Sequence, residues 1–210
     1  DIAHDDFRER VERAFGGWRA GEVLPDAPAP PARLPGERRV VVVDEPDLGQ
    51  ARIVVAHEGL ARSDDRRIPA AVMNDIVGGG GFSSRLMQSV RPEAGLTYGV
   101  WSGFALRRQP GPFYVETFTQ VPQARQAIDL VLTELRRIRD EAPAADEVAR
   151  AKSLRVGSFG LGLETSASVV GALVDLDVAG LPDDALDTFR GRVRAVDVEA
   201  VAEMGRTLVH

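Results

Sequence analysis

The chain is 210 residues long, with 44% hydrophobic and 28% charged residues and a formal net charge of −6. That length supports one large domain or two small ones with a substantial core, and mixed charges with an acidic balance leave no basic footprint for nucleic acid. The absence of cysteine excludes disulfides, thiolate zinc sites and a cysteine nucleophile, and the longest apolar runs, 40–43 and 53–56, are far too short to span a bilayer.

Phe7, Val11, Ala14 and Phe15 recur at helical spacing, so 6–18 is predicted helical, ending at Gly16-Gly17. This charged opening lacks the apolar stretch of a signal peptide and reads as mid-chain helix. The sequence is therefore expected to be a piece of a longer protein, and its compartment stays open between cytoplasm and periplasm. Residues 25–36, PDAPAPPARLPG, hold five prolines. Such a composition stiffens toward polyproline II and builds no core, so it reads as a linker and domain boundary; a long surface loop within one domain is the alternative.

Residues 39–43 and 51–57 read as two buried strands around a turn at Glu45-Pro46-Asp47. Asp64 or Asp65 can cap a helix carrying Ile68, Ala71, Val72 and Ile76, which stops at Gly78 to Gly81 in a Schellman-type turn. Residues 82–90 make a short second helix, and 96–105 with 113–119 form a hairpin around Gln109-Pro110-Gly111. Val121, Ala124, Ile128, Val131, Leu132, Leu135 and Ile138 mark a long amphipathic helix. Helices over 144–159, 165–179 and 183–190 follow, then a last one capped by Asp197. Strands early and helices late predict an α+β fold: a mixed, mainly antiparallel sheet with helices packed on one face.

His4, His57 and His210 share no ligand spacing, and neither HExxH nor HxxEH occurs, so no metal site is expected within the chain. His57 reads as a strand-end histidine with a hydrogen-bond partner. The densest segment is GGGGFSSRLMQSVRPEAGLTYGV, 78–100. Its glycines lack the Gly-Lys-Ser/Thr of a phosphate loop and follow a helix rather than a strand, which argues against a nucleotide cradle. Ser83 or Ser84 suits a helix N-cap, with no histidine or lysine placed to activate either. Arg91 and Tyr98 stand seven residues apart. By residue type alone two readings fit them. A guanidinium and a phenol can grip a peptide carbonyl as charge develops on its oxygen; equally, Arg91 can satisfy helix-end carbonyls while Tyr98 packs at a strand edge.

The 78–100 segment resembles the core signature of the pitrilysin/insulinase group of inverzincin zinc metallopeptidases. The similarity extends through ARIVVAHEGLARSDDRRIPAAVMNDIVGGG, PQARQAIDLVLTELRRIRDE and DEVARAKSLRVGSF, covering about 38–208. More narrowly, it is similar to the C-terminal domain of two-domain, mitochondrial-processing-peptidase-like members. The resemblance implies that 1–24 is the C-terminal helix remnant of a preceding homologous domain, 25–36 a linker, and 37–210 the C-terminal peptidase-family domain without its last strand.

In that family the catalytic zinc is held by HxxEH and a distal glutamate. The resemblance therefore implies that this chain alone is inactive, with zinc in an HxxEH-bearing homologous domain or subunit and no cofactor of its own. The opposing, metal-free half supplies an arginine and a tyrosine seven residues apart. Arg91 and Tyr98 match them, as groups that hold the substrate carbonyl and transition state in trans, with Gly79, Gly80, Gly81 and Phe82 as substrate-binding residues. Arg85 is implied to make a structural ion pair or cap. The function implied is a non-catalytic substrate-binding domain that helps enclose an unfolded peptide; the alternative is a purely structural domain in a larger assembly.

Overall fold

The computed structural model describes residues 2–19, 21, 37–90 and 99–210. The chain divides into two compact units, Asp1–Arg33 and Leu34–His210. In the first, α1 (His4–Phe15) begins slightly earlier than expected, and Phe15 meets Trp18 edge-on at 5.0 Å between ring centroids. The proline-rich segment 25–36 lies outside the described residues.

In the second unit, β1 (Gln50–Glu58) and β2 (Val100–Phe104) both pair antiparallel with β3 (Pro112–Gln120), giving the order β1-β3-β2. The expected hairpin is thus present. Strand side chains alternate between faces, and β3 shows it: Phe113, Val115, Thr117 and Thr119 are buried while Pro112, Phe118 and Gln120 are exposed. An isolated parallel bridge joins Ala61 to Arg107 beyond the strand ends.

Residues 39–43, expected as a buried strand, are not one. Val40, Val41, Val42 and Val43 are all exposed, between 67% and 85%, although the turn after them forms, with Leu48 N–H donating to the Glu45 carbonyl. Four β-branched residues in a row favour extended backbone, but a strand also needs a ladder partner, and none pairs with them among the described residues.

Six helices cover the inner face or pack beside it: α2 (Arg67–Asn74), α3 (Arg85–Val90), α4 (Ala124–Asp140), α5 (Ala145–Ser158), α7 (Ala185–Ala195) and α8 (Val198–Leu208). The core joins Val72 and Met73 of α2, Leu86 and Val90 of α3, Val131 and Ile138 of α4, and Val201 of α8 to Val100, Phe113 and Val115 of the sheet. Each such side chain contributes about 1.5–3 kcal/mol on burial. The stripe expected on α4 holds for Val131, Leu135 and Ile138, whereas Val121 is exposed in a 3₁₀ turn before the helix. Helix α7 runs past its expected end because Val193 is fully buried there. Asp197 caps α8 as expected, accepting from Ala200 N–H at 2.8 Å. Asp64 acts one turn early instead: it accepts from Arg66 N–H at 2.8 Å, and α2 starts at Arg67.

α6 (Ser166–Ala179) is capped by Thr165 and stopped by Gly180 at φ 62°, yet Leu176 is its only buried residue. Among the described residues, no single helix is long and apolar enough to cross a membrane.

Candidate functional site

α2 does not end in a Schellman turn. It loosens into one π-helical turn, Asp75–Gly79, a distortion that often accompanies functional sites. The widening lets the backbone press against β2. A Cβ on Gly78 would stand 2.5 Å from Ser102 Oγ and 2.7 Å from Ser102 N, so Gly78→Ala is expected to destabilise the fold by about 1–3 kcal/mol in a denaturant titration. Gly81 turns the chain at φ +61°, the left-handed region that glycine enters without penalty.

Ser84 stands at the N-cap position of α3 as expected, extended at φ −73° and ψ 150° with its carbonyl accepting from Gln88 N–H at 3.0 Å, but the serine hydroxyls do not cap. Ser83 Oγ donates to the Gly80 carbonyl at 3.0 Å and Ser84 Oγ to the Gly81 carbonyl at 2.7 Å. They tie the glycine turn together rather than accepting from the first N–H groups of α3. Gly79 and Gly81 are exposed beside a half-exposed Gly80, and Phe82 is 70% exposed. The structure thus brings these four expected substrate contacts together on one surface turn.

Beneath them the polar groups pair. Asn74 donates to the Ser102 carbonyl at 3.2 Å and accepts from Ser102 Oγ at 2.7 Å. Asp75 receives both prongs of Arg155 at 2.7 Å; burial pushes its carboxyl pKa up, against the pull of that guanidinium.

α3 is held at both ends. At its start, Arg85 makes a bidentate pair with Glu147 of α5, both contacts at 2.7 Å, which is the structural role expected of it. Glu147 also accepts from Ala144 N–H at 2.9 Å, at the beginning of its own helix. At its end, Ser89 Oγ donates to Glu134 of α4 at 2.7 Å, and Val90 is fully buried. Across the gap, Thr117 Oγ1 donates to the Gly99 carbonyl at 2.9 Å, and Val100 is in register with Thr117. Arg91 and Tyr98 themselves lie outside the described residues.

Arg85 holds the Glu147 carboxyl down at about 2, from an ordinary 4.5. A depressed carboxyl stabilises the fold fully above its unfolded pKa and loses that contribution as pH falls through the folded one. The loss therefore falls between about 4.5 and about 2. Asp75, raised by burial, acts in the opposite sense. Comparing acid unfolding of the parent and of Glu147→Gln by circular dichroism isolates the first effect. The variant is expected to lose about 1–2 kcal/mol at neutral pH, after discounting for solvent screening, and less below pH ~3.

His57 is a half-buried strand-end residue, as expected, with Nδ1 2.7 Å from the Glu58 carbonyl oxygen; burial lowers its pKa. Among the described residues, no three histidine, aspartate or glutamate side chains converge to hold a metal ion, so those residues offer zinc no ligand set. Sequence reading passed over Arg155, whose contacts with Ala71 and Asp75 lie far along the chain and give no local signal, and Arg67, whose contacts with Asp64 and Asp65 are local but do not reveal its burial.

The family model described as "Peptidase M16 inactive domain" matches residues 1–155. An uncharacterized zinc protease of Streptomyces coelicolor is 30% identical, aligned over 96% of this chain and 45% of its own length. Among solved structures, a peptidase M16 inactive domain from Pseudomonas fluorescens superposes with a TM-score of 0.72 at 30% identity, over 77% of this chain and 38% of that one. A protease from Helicobacter pylori superposes with a TM-score of 0.87 at 15% identity, over 100% of this chain and 51% of that one. The chain spans about half the length of the curated relatives it matches.

Proposed function

The chain belongs to the family of the peptidase M16 inactive domain, and we propose that it is the non-catalytic, substrate-binding part of a zinc peptidase. The observation that carries this reading is the 78–100 segment: an exposed glycine turn with Phe82, followed in the sequence by Arg91 and Tyr98. In this reading 1–24 is the tail of a preceding homologous domain, 25–36 the linker, and 37–210 the binding domain. An HxxEH-bearing homologous domain or subunit closes against it as a clamshell around an unfolded peptide.

Zinc in that partner would supply an activated water and a Lewis acid. What this chain adds is position and charge. The Arg91 guanidinium and the Tyr98 hydroxyl donate hydrogen bonds toward the carbonyl oxygen of the bound peptide, where negative charge grows as the bond is attacked. The Arg85–Glu147 and Ser89–Glu134 contacts hold α3, the helix that precedes Arg91 in the sequence. Strand addition to a sheet edge binds a backbone without demanding sequence, and β1 and β2 are the outer members of the order β1-β3-β2.

Fluorescence anisotropy of a labelled unfolded peptide tests the reading. With the chain and a metal-stripped HxxEH partner both present, binding is expected to be at least about 10-fold tighter than with either alone, because two surfaces engage one ligand. Equal affinity with the partner alone would remove the proposed role.

A further inference from the structure

A cavity of about 230 Å³ opens beside α2, lined by Leu60, Arg67, Ala71, Asn74, Phe104 and Arg155 among others. Arg67 lines it although the residue is only 8% exposed. One corner of its guanidinium is occupied: Nη1 donates to the Asp64 carbonyl at 3.2 Å and lies 3.9 Å from Asp65. Among the described residues its Nε and Nη2 have no hydrogen-bond partner. Neither atom is sealed from solvent, so this edge of the guanidinium fork is open to an acceptor that enters the cavity.

The surrounding acids are committed elsewhere. Asp64 binds Arg66, Asp75 takes both prongs of Arg155, and Asp175 pairs with Arg62. Arg67 and Arg192 are left to share Asp65, at 3.9 and 3.6 Å, and that carboxylate is 96% exposed. Of the charged residues only Arg67 and Arg155 line the cavity, and Asp75 neutralises Arg155, which leaves the single charge of Arg67 for an entering anion to meet. Burial, then the neighbouring charges of Arg192 and Arg62, lowers the Arg67 pKa, a pressure that a bound anion relieves. Asn74 and Arg155 add polar wall, and the apolar part comes from Leu60, which is 2% exposed, and Phe104, which packs on Phe113 with centroids 4.9 Å apart.

We propose that this cavity binds a monoanionic carboxylate bearing a small apolar group, with the unoccupied edge of Arg67 gripping the carboxylate. A planar carboxylate accepts two parallel N–H bonds from a guanidinium edge, and its apolar group lies between Leu60 and Phe104. The single charge of Arg67 matches one negative charge; a phosphate would bring a second charge with nothing to neutralise it. The cavity is smaller than the ~300–1,000 Å³ of drug-sized sites, which suits one amino-acid residue. The carboxylate can come from the last residue of a peptide or from a small carboxylic acid. This inference goes beyond the peptide-positioning role and does not depend on it.

Calorimetry on the whole 210-residue chain tests it with N-acetyl-leucine and its neutral analogue N-acetyl-leucinamide. The acid is expected to bind at least about 10-fold more tightly, the value of a charge-assisted hydrogen bond. Arg67→Gln is expected to erase that preference. Ala71→Leu, which fills the cavity while leaving Arg67 in place, is expected to weaken the acid by a similar factor. If Arg67→Gln does not fold, the acid-to-amide ratio of the parent and the Ala71→Leu result decide. Equal binding of acid and amide overturns the site, as does an undiminished preference in folded Arg67→Gln, or inorganic phosphate binding more tightly than the acid. A tetrapeptide ending in leucine separates the two sources: tighter binding than N-acetyl-leucine assigns the site to a peptide end, and loss of binding assigns it to a small acid. No arm uses peptide cleavage, so failure here leaves the peptidase reading standing, and the converse holds.

Discussion

If the proposed substrate-positioning role holds, Arg91→Ala is expected to lower zinc-dependent peptide cleavage by an HxxEH-bearing partner combined with this chain by about 100- to 1,000-fold, the usual cost of removing one preorganised donor from a developing oxyanion. The loss should appear mainly in kcat, because the interaction strengthens as the carbonyl oxygen gains charge. Arg91→Lys should recover little, since an ammonium offers a point charge where a guanidinium offers a fixed fork. Tyr98→Phe keeps the ring and removes one donor, so about a 10- to 100-fold loss is expected, again in kcat. The alternative, in which Arg91 caps a helix and Tyr98 packs at an edge, makes a different forecast: both variants lose thermal stability and keep their rate. Single-turnover cleavage beside a thermal melt separates the two.

Arg85→Ala is the substitution expected to harm the fold most. Arg85 is 6% exposed, and its two contacts with Glu147 at 2.7 Å join α3 to α5. Its removal strands Glu147 and takes away a cation that also faces Glu134, itself buried. Breaking a fully buried pair from one side costs about 3–5 kcal/mol; because the Glu147 side chain is 20% exposed, about 2–4 kcal/mol is expected, a melting shift of roughly 4–16 °C for a domain of this size. The double variant Arg85→Met with Glu147→Leu should regain most of that loss, because an apolar pair leaves no charge uncompensated. Recovery in the double variant would show that charge burial, not packing volume, dominates the single one.

Much of the fold was legible because local pattern and tertiary need agree there. The β2–β3 hairpin, the buried stripe of α4 and the Asp197 cap each follow from signals a few residues long. The failures share a cause. Residues 39–43 carry strong strand propensity, but pairing depends on a partner that no local pattern names. The end of α7 is set by burial of Val193 against other helices. The π turn arises because Gly78 must approach Ser102, 24 positions along the chain, and no Schellman signal distinguishes that from an ordinary helix stop. At the candidate site, the glycine turn and Arg85 were readable as a motif. The Asp75–Arg155 pair and the Arg67 cavity were not, since each joins residues far apart in sequence.

The most direct measurement is reconstitution. An HxxEH-bearing homologous partner is mixed with an unfolded peptide in the presence of zinc, with and without this chain, and initial cleavage rates are compared. Cleavage is expected only when both proteins are present, with the Arg91→Ala chain restoring less than about a hundredth of the parent rate. A partner that cleaves equally fast without this chain, or that is restored as well by Arg91→Ala as by the parent, would contradict a substrate-positioning role.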